Sequence, residues 1–454
     1  MVALMRERRY LIAGARVAGV ASAQVLLDRG AEVTILDRDD KPVFAELRAA
    51  GARTVIGDVI DLAGFTDVVL SPGFAPHHPL AVAATAAGLD VYSEPELAWR
   101  LRPPGAPEWL AITGTNGKTT ATTMLASILA AAGLRTAALG NIGEPLVFAA
   151  TGGDYDVLAV ELSSFQLHWS STLAPRAGAL LNLADDHLDW HGGFEAYALA
   201  KTAIWRSAAA GGVAVGNLDD PRVATLLSKV DGNVVGFTLG APAPGQLGVV
   251  DGVLVHDGVE LAAVADIRPP GSYNVANALA AAALARAYGV PPAAVRDGLA
   301  GYTPQPHRNA YVATVGGVGY VDDSKATNPH AAAASLTAYP RVVWIAGGQL
   351  KGVDVSDLVR DVADRLAGAV LLGVDRAEVA AALARHAPGI PVVTVDRTDD
   401  GAMAEVVRAA AALAKPGDTV LLAPAAASLD MYTSYAKRGE AFAAAVQALG
   451  TSDR

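Results

Sequence analysis

The run Gly114-Thr115-Asn116-Gly117-Lys118-Thr119-Thr120 carries the residue types needed to hold a polyphosphate. Its two glycines permit a tight turn and keep side chains out of the loop interior. Successive backbone N–H groups can then face one anion, with a helix N-terminus behind them. Lys118 would reach the outer phosphates, and Thr119 would offer its hydroxyl to Mg2+. The apolar residues Trp109–Ile112 predict a strand before the loop, and Ala121–Ala132 predict a helix after it. The loop is short, because Ile112 stands where the usual pattern has its opening glycine. Gly-Lys-Thr alone would also fit a structural turn. The full GTNGKTT between a strand and a helix favours phosphate binding.

Further chemistry-bearing residues follow the loop. Gly140-Asn141-Ile142-Gly143 is a glycine-rich turn with one amide suited to a polar substrate. Glu161 ends the apolar run Val157–Val160, and a carboxylate at such a strand end is well placed to hold Mg2+ beside the phosphates. Ser163 and Gln166 behind it could hydrogen-bond a substrate. Asn182, Asp185, Asp186, His187 and Asp189 gather at the end of a strand expected at Ala179–Leu183. His187 reads as a ligand of a second Mg2+, as a loop histidine, or as a substrate contact. Lys201, in a helical stretch from Phe194 to Arg206, reads on its own as a solvated helix lysine.

These residues need scaffolds. Tyr10–Gly14 predicts a buried strand, followed by a turn from Gly14 to Gly19, a helix to about Gly30, and a strand at Val33–Leu36 ending on Asp37-Arg38. This is a Rossmann-like opening, but Arg16 fills the middle glycine place of the dinucleotide fingerprint and would crowd a pyrophosphate. A nucleotide-like ligand is favoured over NAD or FAD, with a purely structural unit as the alternative; Asp37 suits a ribose hydroxyl. Ser71-Pro72-Gly73 forms another strand-end turn after Val68–Leu70, and Pro103–Pro107 reads as a linker. Asp251-Gly252 and Asp257-Gly258 between β-rich runs predict short hairpins. Asn274, leading an Ala-rich helix, could touch a base or cap the helix. Arg308, in the proline-containing junction Gly301–Arg308, could reach a phosphate across a hinge. The pattern then restarts, with strands expected around Gly319–Val321, Val342–Ala346, Ala369–Gly373, Val392–Val395 and Thr419–Ala423. The expected architecture is α/β with three domains: a Rossmann-like domain at 1–105, a central P-loop ATPase-like domain with a mostly parallel sheet at 106–308, and a Rossmann-like domain at 309–454.

Bulk composition narrows the class. A chain of 454 residues exceeds one core, and 52% hydrophobic content with many Ala, Val, Leu and Gly suits buried parallel strands. The net charge of −11 argues against a nucleic-acid backbone partner. Without cysteine there is no disulfide and no thiol nucleophile, so a metal would be held by oxygen and imidazole. No apolar run is long enough to span a membrane, and the charged start from Met1 to Tyr10 is unlike a signal peptide. A cytoplasmic enzyme is expected. Three α/β units around one phosphate loop suit a ligase that phosphorylates one substrate and joins it to another.

The ordered motifs GTNGKTT (114–120), GNIG (140–143), ELSSFQL (161–167), DHLD (186–189) with Lys201, PHR (306–308), DSKATN (323–328), GGQLKG (347–352) and APAAASLD (423–430) resemble the Mur ligase family of peptidoglycan synthesis. They span nearly all the chain. ELSSFQL, DSKATN and APAAASLD with YAKRG favour the glutamate-adding member. Folylpolyglutamate synthase resembles the central domain but lacks the first one. The resemblance implies ATP-dependent joining of D-glutamate to UDP-N-acetylmuramoyl-L-alanine through an acyl phosphate, in a monomer. An L-glutamate-adding relative is the alternative, and a non-catalytic nucleotide-binding protein a further class. By resemblance, Lys118, His187, Lys201 and Lys325 would be catalytic. The loop residues Gly114, Thr115, Asn116, Gly117, Thr119 and Thr120, with Asn274, Arg308 and Asp323, would contact ATP.

Thr119 and Glu161 would hold one Mg2+, and His187 with a carbamylated Lys201 a second. Gly14, Arg16, Ala18, Gly19, Asp37, Arg38, Ser71, Gly73, Asn141, Ser163 and Gln166 would hold the UDP substrate. Thr327, Lys351, Ser428 and Tyr435 would hold glutamate. Departures from the family pattern are Ala423 for a common serine, Tyr435 for a common phenylalanine and Ala18 for a common threonine. Ligands shared across proline-containing junctions also predict that the outer domains close onto the central one.

Overall fold

In the computed structural model, residues 8–399 and 401–452 are described; the charged segment 1–7 read above lies outside them. Three sheets organise the chain. The first has the spatial order Arg53–Ile56, Glu32–Asp37, Arg9–Ala13, Asp67–Leu70, Asp90–Ser93, all parallel. The chain reverses direction across this sheet between Arg9–Ala13 and Asp67–Leu70. The turns after Ala13 and Leu70 therefore sit side by side at the strand ends, where such sheets bind ligands.

The second sheet has nine strands: Val259–Ala263, Val253–His256, Leu247–Val250, Asn233–Phe237, Val213–Asn217, Ala177–Leu180, Glu108–Thr113, Val157–Glu161, Ala138–Gly140. It is parallel except for the first three, which form the expected hairpins. Both Asp-Gly turns have positive φ at both residues, 50° and 76° at Asp251 and Gly252 and 49° and 78° at Asp257 and Gly258, as a two-residue hairpin turn requires. Trp109–Ile112 and Val157–Val160 are fully buried, which explains their unbroken apolar runs. The strand expected at Ala179–Leu183 lies at Ala177–Leu180. Asn182 is taken out of the ladder because it bonds the phosphate loop: its backbone carbonyl accepts from Thr115 N at 3.0 Å and its side-chain oxygen from Asn116 N at 2.9 Å.

The third sheet has the order Ala310–Val315, Val318–Asp322, Thr419–Leu422, Val342–Gly347, Leu366–Leu372, Val392–Thr394. Only the first pair is antiparallel. Among the described residues, no helix is long and apolar enough to cross a membrane.

The chain forms two compact units, one of residues 1–266 and 276–302, the other of 267–275 and 303–454. The first two sheets thus share a unit, and buried carboxylates join them. The fully buried Glu96 accepts from Thr172 N, Thr172 Oγ1 and Leu173 N of the central domain at 2.6–3.1 Å, and from Arg100 Nε at 2.8 Å. Glu94 accepts from Val147 N at 2.6 Å.

Candidate functional site

The strand Glu108–Thr113 delivers the phosphate loop, and the helix Lys118–Ala131 leaves it. Gly117 has φ 82°, a conformation that favours glycine. The Lys118 ammonium donates to the carbonyls of Gly114 and Thr115 at 3.0 and 2.8 Å. Thr115 Oγ1 lies 2.8 Å from the Tyr197 hydroxyl, a contact the motif reading did not single out. Thr120 is buried on the first helical turn.

Glu161 ends the neighbouring strand, as expected, and is buried. One oxygen accepts from Thr119 Oγ1 at 2.7 Å, the other from Asn141 Nδ2 at 2.8 Å. Gly140 is needed here, since a Cβ on it would lie 2.3 Å from the Glu161 carbonyl. Thr119, Glu161 and Asn141 thus form one hydrogen-bonded set.

Lys201 is buried on the helix Phe194–Thr202. Its Nζ donates to the Gly114 carbonyl at 2.8 Å and lies 4.8 Å above the Tyr197 ring. Burial, reinforced by the charge of Lys118, holds its pKa well below that of an ordinary lysine, which favours the neutral amine. The reading of Lys201 as a solvated lysine is therefore wrong for this fold: the helix turns that face into the phosphate loop. His187 has φ 53° and rests against Phe165, ring centroids 4.7 Å apart. Burial, then the nearby positive charges of Lys118 and Lys201 against an opposing Asp186, leave its pKa below the usual histidine value.

Among the described residues, no three His, Asp or Glu side chains come together as a metal cluster. The Thr119 hydroxyl and Glu161 carboxylate are the hard oxygen donors that Mg2+ takes. On the His187 side, Asp186 Oδ2 lies 3.5 Å from His187 Nε2 and sets an anionic oxygen beside the imidazole.

A narrow crevice is lined by Ala18, Gly19, Ser71, Phe165, Gln166 and Trp169, among others. Gly14 has φ 97°, and a Cβ on Gly19 would lie 1.9 Å from the Gly14 carbonyl, so the turn admits no larger residue. Asp37 accepts from Ala15 N at 2.8 Å and so braces this turn from within. Arg38 pairs with Asp58 at 2.6 Å, and Arg16 and Gly73 are exposed. Ser163 and Gln166 are engaged with each other as a capping box. The geometry brings Gly14, Ala18, Gly19, Ser71 and Gln166 together and places Arg16 and Arg38 on open surface.

In the second unit, Arg438 gathers the expected glutamate loops. It is 1% exposed and donates to Ser324 Oγ and O at 3.0 and 2.9 Å, Ala426 O at 3.1 Å and Gly347 O at 3.5 Å. These partners belong to the DSKATN, APAAASLD and GGQLKG motifs that carry Thr327, Ser428 and Lys351. Tyr435 lies one turn before Arg438 on the helix Tyr435–Ser452, and Lys325 Nζ lies 4.1 Å from its ring centre. Lys351 is exposed with φ 57°. Asp323, buried, accepts from Ser335 Oγ and from Asn309 N at 3.1 Å; burial pushes its carboxyl up to about 6. Arg308 acts electrostatically on Asp323. Asn274 starts the helix Ser272–Tyr288, its amide 3.4 Å from the Pro270 carbonyl. Sequence reading gave Arg438 no role, because an arginine inside a helix carries no sign of being buried.

A three-sheet α/β chain with this loop defines a nucleotide-dependent ligase, and the chain belongs to the Mur ligase family. Residues 112–285 match the Mur ligase middle domain and residues 307–426 the Mur ligase glutamate ligase domain. It is 54% identical to the UDP-N-acetylmuramoylalanine–D-glutamate ligase of Thermobifida fusca, over 98% of this chain and 99% of that one. It is 49% identical to the protein of the same description from Mycolicibacterium smegmatis, covering 97% and 96%. Among solved structures, MurF from Acinetobacter baumannii aligns over 90% of this chain and 89% of its own, with a TM-score of 0.59 at 20% identity. MurC from Thermotoga maritima aligns over 97% and 99%, with a TM-score of 0.57 at 18% identity.

Proposed function

We propose that the protein joins D-glutamate to UDP-N-acetylmuramoyl-L-alanine with ATP, acting as a cytoplasmic monomer. The reading rests on one arrangement: Thr119 and Glu161 meet at 2.7 Å on one flank of the phosphate loop, and the buried Lys201 amine touches Gly114 O at 2.8 Å on the other. The full-length relatives described as D-glutamate ligases support the choice of substrates.

The γ-phosphoryl group of ATP passes to the L-alanine carboxylate. The glutamate amine attacks the acyl phosphate, and the tetrahedral adduct collapses to an amide with release of phosphate. Such transfers need positioning and charge neutralisation more than a covalent residue. Lys118 donates to the loop carbonyls of Gly114 and Thr115 and would exchange them for phosphate oxygens. Thr119 and Glu161 would hold one Mg2+, and His187 and Lys201 a second; Mg2+ bound there would neutralise phosphate charge. The neutral Lys201 amine can attack CO2 and lose a proton, giving an anionic carbamate. The loop amides are assigned to ATP, as by resemblance are Asn274, Arg308 and Asp323, with Lys325 as a catalytic residue. The crevice residues with Asn141 are assigned to the UDP substrate, and Thr327, Lys351, Ser428 and Tyr435 to glutamate.

The test is Mg2+-dependent phosphate release with UDP-N-acetylmuramoyl-L-alanine and D-glutamate, L-glutamate or no amino acid. Release with D-glutamate alone is expected. Release with L-glutamate alone would move the protein to the alternative reading, and no release with either would overturn both.

A further inference from the structure

The turn Ser71–Phe74 on the rim of the crevice is held from two sides. On the first-domain side, Ser71 N donates to Ala13 O at 3.0 Å and Ser71 Oγ to Gly14 O at 3.3 Å. On the central-domain side, two indoles reach the same turn. Trp190 Nε1 donates to Pro72 O at 3.2 Å, and Trp169 Nε1 donates to Phe74 O at 3.1 Å.

The peptide between Pro72 and Gly73 is planar and trans, so fixing its carbonyl on Trp190 sends the Gly73 N–H the opposite way. That N–H has no hydrogen-bond partner among the described residues, and a Cβ on Gly73 would meet nothing within 4 Å. Ser71 and Pro72 line the crevice, so the turn holds this unpaired donor at its rim. Trp190 is also tied to the site by its ring. It lies 4.4 Å from Phe165, which lines the crevice and rests on His187. Apolar side chains would have glued the two domains together; two directional donors on one turn do more, because they fix its peptide planes.

We propose that Trp190 and Trp169 are positioning residues for the uridine nucleotide substrate, orienting the Ser71–Phe74 turn so that the Gly73 N–H meets an acceptor oxygen of that substrate. The inference rests on the reading that the crevice takes the UDP-muramoyl substrate.

The test is calorimetric titration of the full chain with UDP-N-acetylmuramoyl-L-alanine, alongside KM values for each substrate. Trp190→Phe and Trp169→Phe keep an aromatic ring and remove the donor. Each should weaken binding by about three- to ten-fold, the range of one net hydrogen bond, and leave the glutamate KM unchanged. Trp205→Phe is the control, since Trp205 Nε1 donates to Val215 O at 3.0 Å inside the central domain. It should lower Tm and leave the Kd alone. Wild-type affinity in both Trp190→Phe and Trp169→Phe, with or without a fall in Tm, would show plain struts and overturn the proposal. A parallel rise in the glutamate KM would overturn it too, by marking a general structural loss. Failure of the unaltered protein to bind would instead remove the substrate reading, and the proposal with it.

Discussion

Thr119 Oγ1 donates to Glu161 Oε2 across 2.7 Å, joining the first turn of the phosphate-loop helix to the end of the adjacent strand. The two oxygens come from residues 42 positions apart, so their meeting is a product of the parallel pairing of Glu108–Thr113 with Val157–Glu161. Glu161→Gln keeps the size and an acceptor but loses the charge. Phosphate release should fall by about 100-fold or more, as when an electrostatic contact to the transition state is removed. The Mg2+ concentration for half-activation should rise. An unchanged Mg2+ midpoint would remove Glu161 from the metal site.

Lys201→Ala should lose most turnover while ADP still binds, because the loop itself remains. The unaltered protein in 13C-bicarbonate should show a carbamate carbon signal that Lys201→Ala lacks. The low proton affinity of the buried amine is what permits the reaction near neutral pH, since only the free amine attacks CO2. Turnover of Lys201→Ala at the wild-type rate would end the carbamate reading.

Glu94 is buried, and burial pushes its carboxyl from 4.5 up to about 7 despite hydrogen bonds from Val147 and Leu146 N–H groups. The folded protein therefore binds a proton that the unfolded chain has released between these two values. The associated stability is fully present below about 4.5 and is lost as pH rises through 7, amounting to up to about 3 kcal/mol. Glu94→Gln should remove this contribution. Its Tm should fall less than that of the unaltered protein between pH 5 and pH 8; identical Tm differences would refute the assignment.

Arg438→Met should lower stability by about 2–4 kcal/mol, because it leaves the carbonyls of Ser324 and Ala426 without their donor. Burial lowers this guanidinium from its usual value to about 10. The glutamate KM should rise by about ten-fold while the Kd for UDP-N-acetylmuramoyl-L-alanine stays put. Equal losses in both would mean that the substitution disturbs more than the second unit.

What could be read from sequence divides along physical lines. The buried strands, the phosphate loop and the Asp-Gly hairpins were legible because unbroken apolar runs and obligatory glycines are local signals. Glu161 was legible for the same reason, since it directly ends an apolar strand. The burial of Lys201 was not, because which helix face turns inward is decided by packing. Resemblance supplied its role; the local pattern argued the other way. The short strands Arg53–Ile56 and Ala138–Gly140 carry little pattern over so few residues. The bonds of Trp190, Trp169 and Arg438 to distant carbonyls leave no trace in residue spacing, because one partner is always backbone.

The run Pro103–Pro107 looks like a place to cut the chain. Glu96 says otherwise. Besides Arg100, its carboxylate draws its partners from Thr172 and Leu173, beyond the linker, and a severed first piece would lose those donors and open the carboxylate to water. Grafting across this joint should fail unless Glu96 and the Thr172 segment travel together.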